Sequence, residues 1–245
     1  MISLFGHSSK IANPTSGRMK ALFMPGSMLV FTWRMAAGTN PQNIYNRISP
    51  IAGKSGEKIF DDKITIVDNP TNDDFPGARS FDDEGVACRP LTVVENGVLK
   101  SFYHNLDSAQ KSNAQSSGHG YRTELLFKSK DPIAINPIAV PCHLFWKPGD
   151  KSFAELVKSI DRGIIVDMTQ SAHSGNIPNG DYSIGVCSGF YVENGEIVGR
   201  VRDGMIAGNI YDNLKHVLAV GDKLYPGVDA WVPAVLLDNV NVTFG

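Results

Sequence analysis

One four-residue signature occurs twice in the chain, as Val94-Glu95-Asn96-Gly97 and as Val192-Glu193-Asn194-Gly195. The first copy lies between the apolar stretch Leu91–Val94 and Val98, Leu99 and Phe102; the second lies between Phe190–Val192 and Ile197, Val198 and Val201. Asn-Gly between two strand-like runs is the strongest short-range hairpin signal, because both central residues of a type I′ turn need φ > 0. The pair therefore predicts a chain organised around two equivalent β-hairpins. Two readings of the repeat stay open: internal duplication, and the same turn chemistry arising twice.

At 245 residues the chain has room for one large domain or two small ones, each with its own core. No Pro/Gly/Ser linker or composition shift divides it. The expectation is a polar lead-in over residues 1–17 and a single α+β domain over 18–245, mainly antiparallel sheet with a few peripheral helices. A net charge of −2 with scattered Lys and Arg argues against nucleic acid and against an anionic membrane surface. There is no 18-residue apolar run and no continuous signal-like segment near the N-terminus. Cys88, Cys142 and Cys187 are odd in number and widely spaced, which predicts a reducing, cytoplasmic setting.

Local patterns place the remaining elements. Met19–Met24 reads as a strand ended by Pro25-Gly26, after which Ser27 can cap a helix running to about Ala37 with Gly38 as its stop. That helix is apolar nearly all round, so it is predicted to be buried. Shorter helices are predicted from Pro41 to about Ile48 and over Asp107–Ala114. Lys63–Val67 and Ile164–Val166 read as strands, Asp68–Gly85 and Thr169–Gly180 as loops, and the two hairpins as spanning Val86–His104 and Tyr182–Val201. Pro137 and Pro141 predict only edge-like strand between Ile133 and Trp146. Ser152 and Glu155 form a capping box for a helix reaching Ile160. A last helix is expected over Asn209–Val220, then a closing strand over Ala234–Phe244.

Three groups of residues could carry chemistry. Asp82-Asp83-Glu84-Gly85 is a dense acid cluster without the alternating spacing of a calcium loop, and places Asp83 and Glu84 as candidates beside a peptide groove. His119 sits between Gly118 and Gly120, with Arg122 two residues on; glycines permit close backbone approach, and an arginine can clamp a carboxylate or carbonyl. Cys142-His143 suggests a thiol nucleophile, but adjacent strand residues point to opposite faces. None of the six histidines is followed by Glu, and no two lie three to five residues apart, so a helical zinc site is not expected.

Phe81-Asp82-Asp83-Glu84-Gly85, Val93 through Lys100, Ser117-Gly118-His119-Gly120-Tyr121-Arg122, Gly180-Asp181-Tyr182-Ser183, Tyr191 through Ile197 and Ile206-Ala207-Gly208-Asn209 resemble, in collinear order, the C-terminal half of the TldD/PmbA family. The resemblance covers roughly residues 18–245. Its members are metalloprotease-related and were formerly labelled modulators of DNA gyrase. The catalytic branch carries a His-Glu-x-x-x-His helix supplying metal ligands and a base. Here the corresponding stretch is Met28-Leu29-Val30-Phe31-Thr32-Trp33-Arg34-Met35, which has no ligand, and no Cys or His follows His216 to act as a third. This is similar to the PmbA branch, which implies a non-catalytic subunit that needs no cofactor of its own.

The expectation that follows is a wall of a groove for unfolded peptide, near Asp83, Glu84, Gly85, His119 and Arg122. The implied partner is a TldD-type catalytic subunit, or a second copy of the chain in a homodimer. Two alternatives are a stand-alone hydrolase using Cys142, Cys187 or His119 or a metal bound by a less obvious ligand set, and a gyrase-related protein-binding modulator.

Overall fold

The fold is given by a computed structural model that describes Gly6 and residues 9–123, 131–227 and 230–245. The beginning of the expected lead-in, residues 1–5, 7 and 8, lies outside the described residues. Its remainder is not detached: Ile11 bridges to Arg200, and Ala12 N–H donates to the Arg200 carbonyl at 2.9 Å.

Strands β1 (Gly17–Phe23), β8 (Arg162–Gln170), β9 (Asp181–Glu193), β11 (Gly204–Asn209) and β15 (Val235–Phe244) pair successively, and β15 pairs back to β1, so the sheet closes on itself. Closure removes the free edges that an open sheet would expose. Side-chain alternation then sorts the apolar residues. Ala21 lies opposite both Ile164 and Leu237, Leu22 opposite Ile165 and Leu236, and Phe23 opposite Val166 and Val235. The first and third rows enter the main core with Phe31 and Met35 of the Leu29–Gly38 helix. The second row faces the other way, where it is covered by Leu156, Val157 and Ile160. Each Val, Leu, Ile, Phe or Met among them is worth about 1.5–3 kcal/mol when fully buried.

A second sheet runs β13 (Tyr225–Pro226), β14 (Ala230–Val232), β7 (Leu144–Trp146), β2 (Ile66–Asp68), β3 (Leu91–Glu95), β4 (Val98–Leu99). Its Ile66, Val93, Leu99 and Trp146 share the main core. β5 (Gly120–Tyr121) and β6 (Ile138–Ala139) form a small ribbon beside it. Among the described strands the pairings are antiparallel except β1–β8 and β14–β7. The architecture is thus α+β and sheet-dominated, as expected.

Both Asn-Gly pairs turn as their chemistry requires, with φ of 48° and 77° at Asn96 and Gly97 and 51° and 79° at Asn194 and Gly195. The first joins β3 to β4, the second β9 to β10 (Glu196–Arg200), so the two hairpins serve different sheets. The capping box at Ser152 and Glu155 is present, opening the Phe153–Lys158 helix.

Four local expectations are corrected. Asn209–Val220 is not one helix: Ile210–Asn213 makes one turn, and Val217–Val220 is β12, paired with β15. Ile210, Leu214 and Val217 suit a helical face, but strand pairing along β15 decides the outcome over local propensity. β7 is an interior strand between β14 and β2, because Pro137 and Pro141 both precede it. Ser27 does not cap a helix; it lies in a short 3₁₀ turn and its hydroxyl donates to the Met24 and Val166 carbonyls. Gly38 is the last helical residue rather than a stop beyond it, and is required by contact, since a Cβ there would lie 1.9 Å from Tyr211 Oη.

Candidate functional site

The acid cluster and the glycine-flanked histidine, distant in sequence, are laid side by side. Asp82 accepts from the N–H groups of Glu84 (3.0 Å) and Val86 (2.9 Å) through Oδ1, and from Gly120 N–H (2.9 Å) through Oδ2. Asp83 N–H donates to the Gly120 carbonyl, and its Oδ2 accepts Arg122 N–H at 2.7 Å. Glu84 Oε2 accepts Leu106 N–H at 2.7 Å, at the start of the Leu106–Lys111 helix. Arg122 reaches on to the Ile133 and Ile135 carbonyls at 3.2 and 2.6 Å. Gly85 takes φ of +77°, which turns the loop back for the Asp82–Val86 contacts. The five predicted residues are therefore brought together, with each carboxylate accepting at least one backbone N–H. Their arrangement stitches three segments, 82–86, 118–122 and 131–139, to the 106–111 helix.

His119 lies beneath this surface and is fully buried. Its Nδ1 is 2.8 Å from the Ser117 carbonyl, which can only accept, so Nδ1 carries the hydrogen. Nε2 faces Asp68 Oδ1 at 3.8 Å. Asp68, equally buried, accepts from the N–H groups of Cys142 and His143 at 2.8 Å each and from the Tyr103 hydroxyl at 3.1 Å. Burial, with Asp68 beside it, raises the Tyr103 hydroxyl well above its ordinary range. Burial likewise raises the Cys88 and Cys142 thiols. His119 thus faces a carboxylate, and the neighbouring thiols are held protonated. That is the reverse of what an activated cysteine needs.

The sequence pattern places Asp68 at the start of the loop Asp68–Gly85, whereas the structure ends strand β2 on it. The signal that could have found it is parity: it shares a face with Ile66, two residues back, and that face enters the core.

A second buried group is Arg34, on the helix whose sequence is otherwise apolar. Its guanidinium donates to four carbonyls: Asp181 (2.8 Å, from Nε), Val30 (3.0 Å), Ala172 (2.9 Å) and Ser174 (2.8 Å). It also lies 5.8 Å from the centre of the Tyr182 ring. Burial lowers its pKa from the ordinary value, while Tyr182 and Asp181 oppose the shift. This cage pins the 171–181 loop to the helix. The metal that the family's catalytic branch implies does not fit here. The helix offers no ligand, and it already holds a buried cation. Among the described residues, no group of three or more His, Cys, Asp or Glu is placed to hold a metal.

Beside the stitched segments is an open cleft of about 350 Å³, lined among others by Gln42, Tyr45, Asn105, Asp107, Lys111 and Ala139.

A sheet ring with a buried helix in its core and a loop-stitched cleft beside it defines a domain class, and the sequence comparisons name it. Residues 16–244 match the model of the PmbA/TldA metallopeptidase C-terminal domain, and the chain belongs to that family. A Methanothermobacter thermautotrophicus protein named a metalloprotease is 31% identical over 222 residues, which is 89% of this chain and 46% of that protein. A Haemophilus influenzae metalloprotease PmbA homologue is 29% identical, covering 85% of this chain and 42% of its own length. Among solved structures, TldE from Thermococcus kodakarensis superposes with a TM-score of 0.88 at 25% identity, over 99% of this chain and 54% of that one. A Thermotoga maritima protein titled a modulator of a DNA gyrase gives 0.84 at 32% identity, over 99% and 52%. The chain spans about half the length of these relatives. Among the described residues no helix is long and apolar enough to cross a membrane.

Proposed function

We propose that this domain is the non-catalytic member of a TldD/PmbA-type peptidase assembly and walls a groove for unfolded peptide. The observation that carries the reading is Arg34. On the helix that would present ligands in a catalytic member, a buried guanidinium fills its surroundings with fixed positive charge and uses the neighbouring carbonyls. A divalent cation there would meet both repulsion and a lack of donors. The metal and its chemistry would then come from a TldD-type partner, and this chain would hold and orient the peptide. The stitched loops around Asp83, Glu84, Gly85 and Arg122 form the rigid edge of that groove, and His119 with Asp68 supports them from below. The three cysteines, all free, suit a cytoplasmic setting.

The test is metal content and peptidase activity of the purified chain, alone and with a TldD-type catalytic subunit. The expected result is no stoichiometric metal and no activity alone, with activity toward unfolded peptide raised or redirected when the two are mixed. Stoichiometric metal together with activity in the isolated chain would overturn the reading.

A further inference from the structure

Asp68 and His119 are both fully buried, and together they fix the position of one hydrogen. Asp68 Oδ2 accepts the Cys142 N–H at 2.8 Å and the Tyr103 hydroxyl at 3.1 Å, and Oδ1 accepts the His143 N–H at 2.8 Å. All three contacts are donors, so neither carboxylate oxygen is called on to donate. A carboxylate in the interior is costly unless a cation stands against it. His119 Nδ1 already gives its hydrogen to the Ser117 carbonyl at 2.8 Å. With that hydrogen alone, Nε2 would present a lone pair to Asp68 Oδ1, 3.8 Å away, and it has no hydrogen-bond partner elsewhere. A second hydrogen on Nε2 removes both faults, because the ring becomes the cation that the carboxylate lacks.

The other titratable groups packed around the pair do not supply that charge. Tyr103 and Tyr121 stand edge-on to the imidazole, with ring centres 5.2 and 6.3 Å away, and burial raises both hydroxyls above their ordinary range. Burial does the same to the Cys88 and Cys142 thiols, so these four groups stay neutral. It moves His104, whose carbonyl accepts the Ser117 N–H, away from its charged form. His143 gives Nε2–H to the Pro76 carbonyl at 3.0 Å, and its Nδ1 has no acceptor for a second hydrogen. Asp82 brings a carboxylate, spent on the N–H groups of Glu84, Val86 and Gly120. Arg79 crosses the Tyr121 ring at 4.9 Å and faces Asp83 at 3.6 Å, which commits its charge to the rim.

We propose that His119 is an imidazolium, with a hydrogen on each ring nitrogen at neutral pH, and serves as the internal counter-ion of Asp68. The second hydrogen acts as a latch. Its loss as the pH rises turns an attraction into opposed lone pairs and leaves Asp68 a buried charge without a counter-ion. The 117–122 segment, which gives Asp82 and Asp83 the N–H groups of Gly120 and Arg122, then loosens from β2. The stitched loops are thus tied to the second sheet by charge as well as by backbone bonds. The latch stands whatever use is made of the edge that those loops form.

The experiment is NMR of the whole chain, isotope-labelled at the histidine ring nitrogens, at about pH 7. The His119 signals are assigned by contacts to the Tyr103 ring and by their loss in His119→Gln. Both ring nitrogens are expected to carry a hydrogen in the native chain. A ring with hydrogen on Nδ1 alone overturns the proposal and needs no variant to do so. Asp68→Asn should return the ring to that singly protonated form; a ring that stays doubly protonated without the carboxylate also overturns it. The latch is read by amide exchange, corrected for the intrinsic effect of pH, as the pH is raised through the loss of the second hydrogen. Protection of the Gly120 and Arg122 N–H groups should fall at least about tenfold at that step, while Gly97 N–H, bonded to the Ile64 carbonyl, keeps its protection. Equal protection of Gly120 and Arg122 on both sides of the step removes the latch.

Discussion

Asp68 Oδ1 lies 3.8 Å from His119 Nε2, and both side chains are fully buried. The carboxylate joins strand β2 to the β5 turn and to the segment entering β7 through three further donors. Removing it strands two part-buried N–H groups and a buried phenol. Asp68→Ala should therefore destabilise the chain by about 3–5 kcal/mol, the range for breaking a buried polar partnership. Asp107→Ala, in an exposed pair, should cost about 1 kcal/mol or less. Urea unfolding of both variants checks this; equal midpoints would remove Asp68 from the central role assigned to it.

Gly38 and Tyr211 make a second coupled pair. A methyl group at residue 38 would lie 1.9 Å from Tyr211 Oη, so the ring must move or the helix must shift. Gly38→Ala should cost about 1–3 kcal/mol through overpacking, although alanine favours helices. Tyr211→Phe deletes the clashing oxygen, and the double variant should recover much of that loss. A double-mutant cycle by thermal unfolding reads the coupling, expected at about 0.5–3 kcal/mol; strict additivity would show that the contact does not decide why glycine stands there.

How far the sequence disclosed these relationships depended on the range over which each is decided. Asn96-Gly97 and Asn194-Gly195 fix their own turns, and Ser152 with Glu155 fixes a helix start, because the determining atoms lie within a few residues. Val217–Val220 carries a helical pattern yet forms a strand, because its partner, β15, lies in a separate segment and no local pattern announces the pairing. Motif order points to Asp83, Glu84, Gly85, His119 and Arg122 together, but it does not announce the hydrogen bonds to Gly120, Leu106 and Ile133, which join segments distant in sequence. Asp68 and Arg34 escaped notice for a common reason. Each is one polar residue in an apolar segment, and its role is set by carbonyls and amides from distant loops.

Arg34 gives a local prediction as well as a global one. Its four carbonyl acceptors include Ala172, Ser174 and Asp181, so this side chain ties both ends of the 171–181 loop to the helix, while Asn209 and Ile210 N–H hold the loop near Asn179 and Gly180. Arg34→Met keeps bulk but removes the donors, and should cost roughly 2–4 kcal/mol. Amide exchange should quicken in that loop beyond the global change, because its anchoring bonds are lost selectively. Exchange that rises uniformly over the whole chain would contradict the pinning role.

Two titrating groups should shape the pH dependence of stability in separate windows. Burial lowers the pKa of His104 below its ordinary value of 6.5, so the unfolded chain takes up that proton first. Stability linked to His104 is therefore whole above about pH 6.5 and declines as the pH falls through the folded-state pKa. Asp181 is also lowered, from 3.8, by hydrogen bonds from Asn209 Nδ2 and Asn179 Nδ2, both at 2.8 Å. A carboxylate favoured in the folded state contributes above its unfolded pKa, and this contribution disappears as the pH falls below about 3.8. His104→Gln should flatten the stability profile just below about pH 6.5 while leaving the acid limb intact. Asn209→Ala should do the reverse, reducing the loss below pH 4 because Asp181 then titrates nearer its unfolded value. Urea midpoints measured from pH 3 to 8 separate the two; a flattening of the same limb by both variants would show that one of these assignments is wrong.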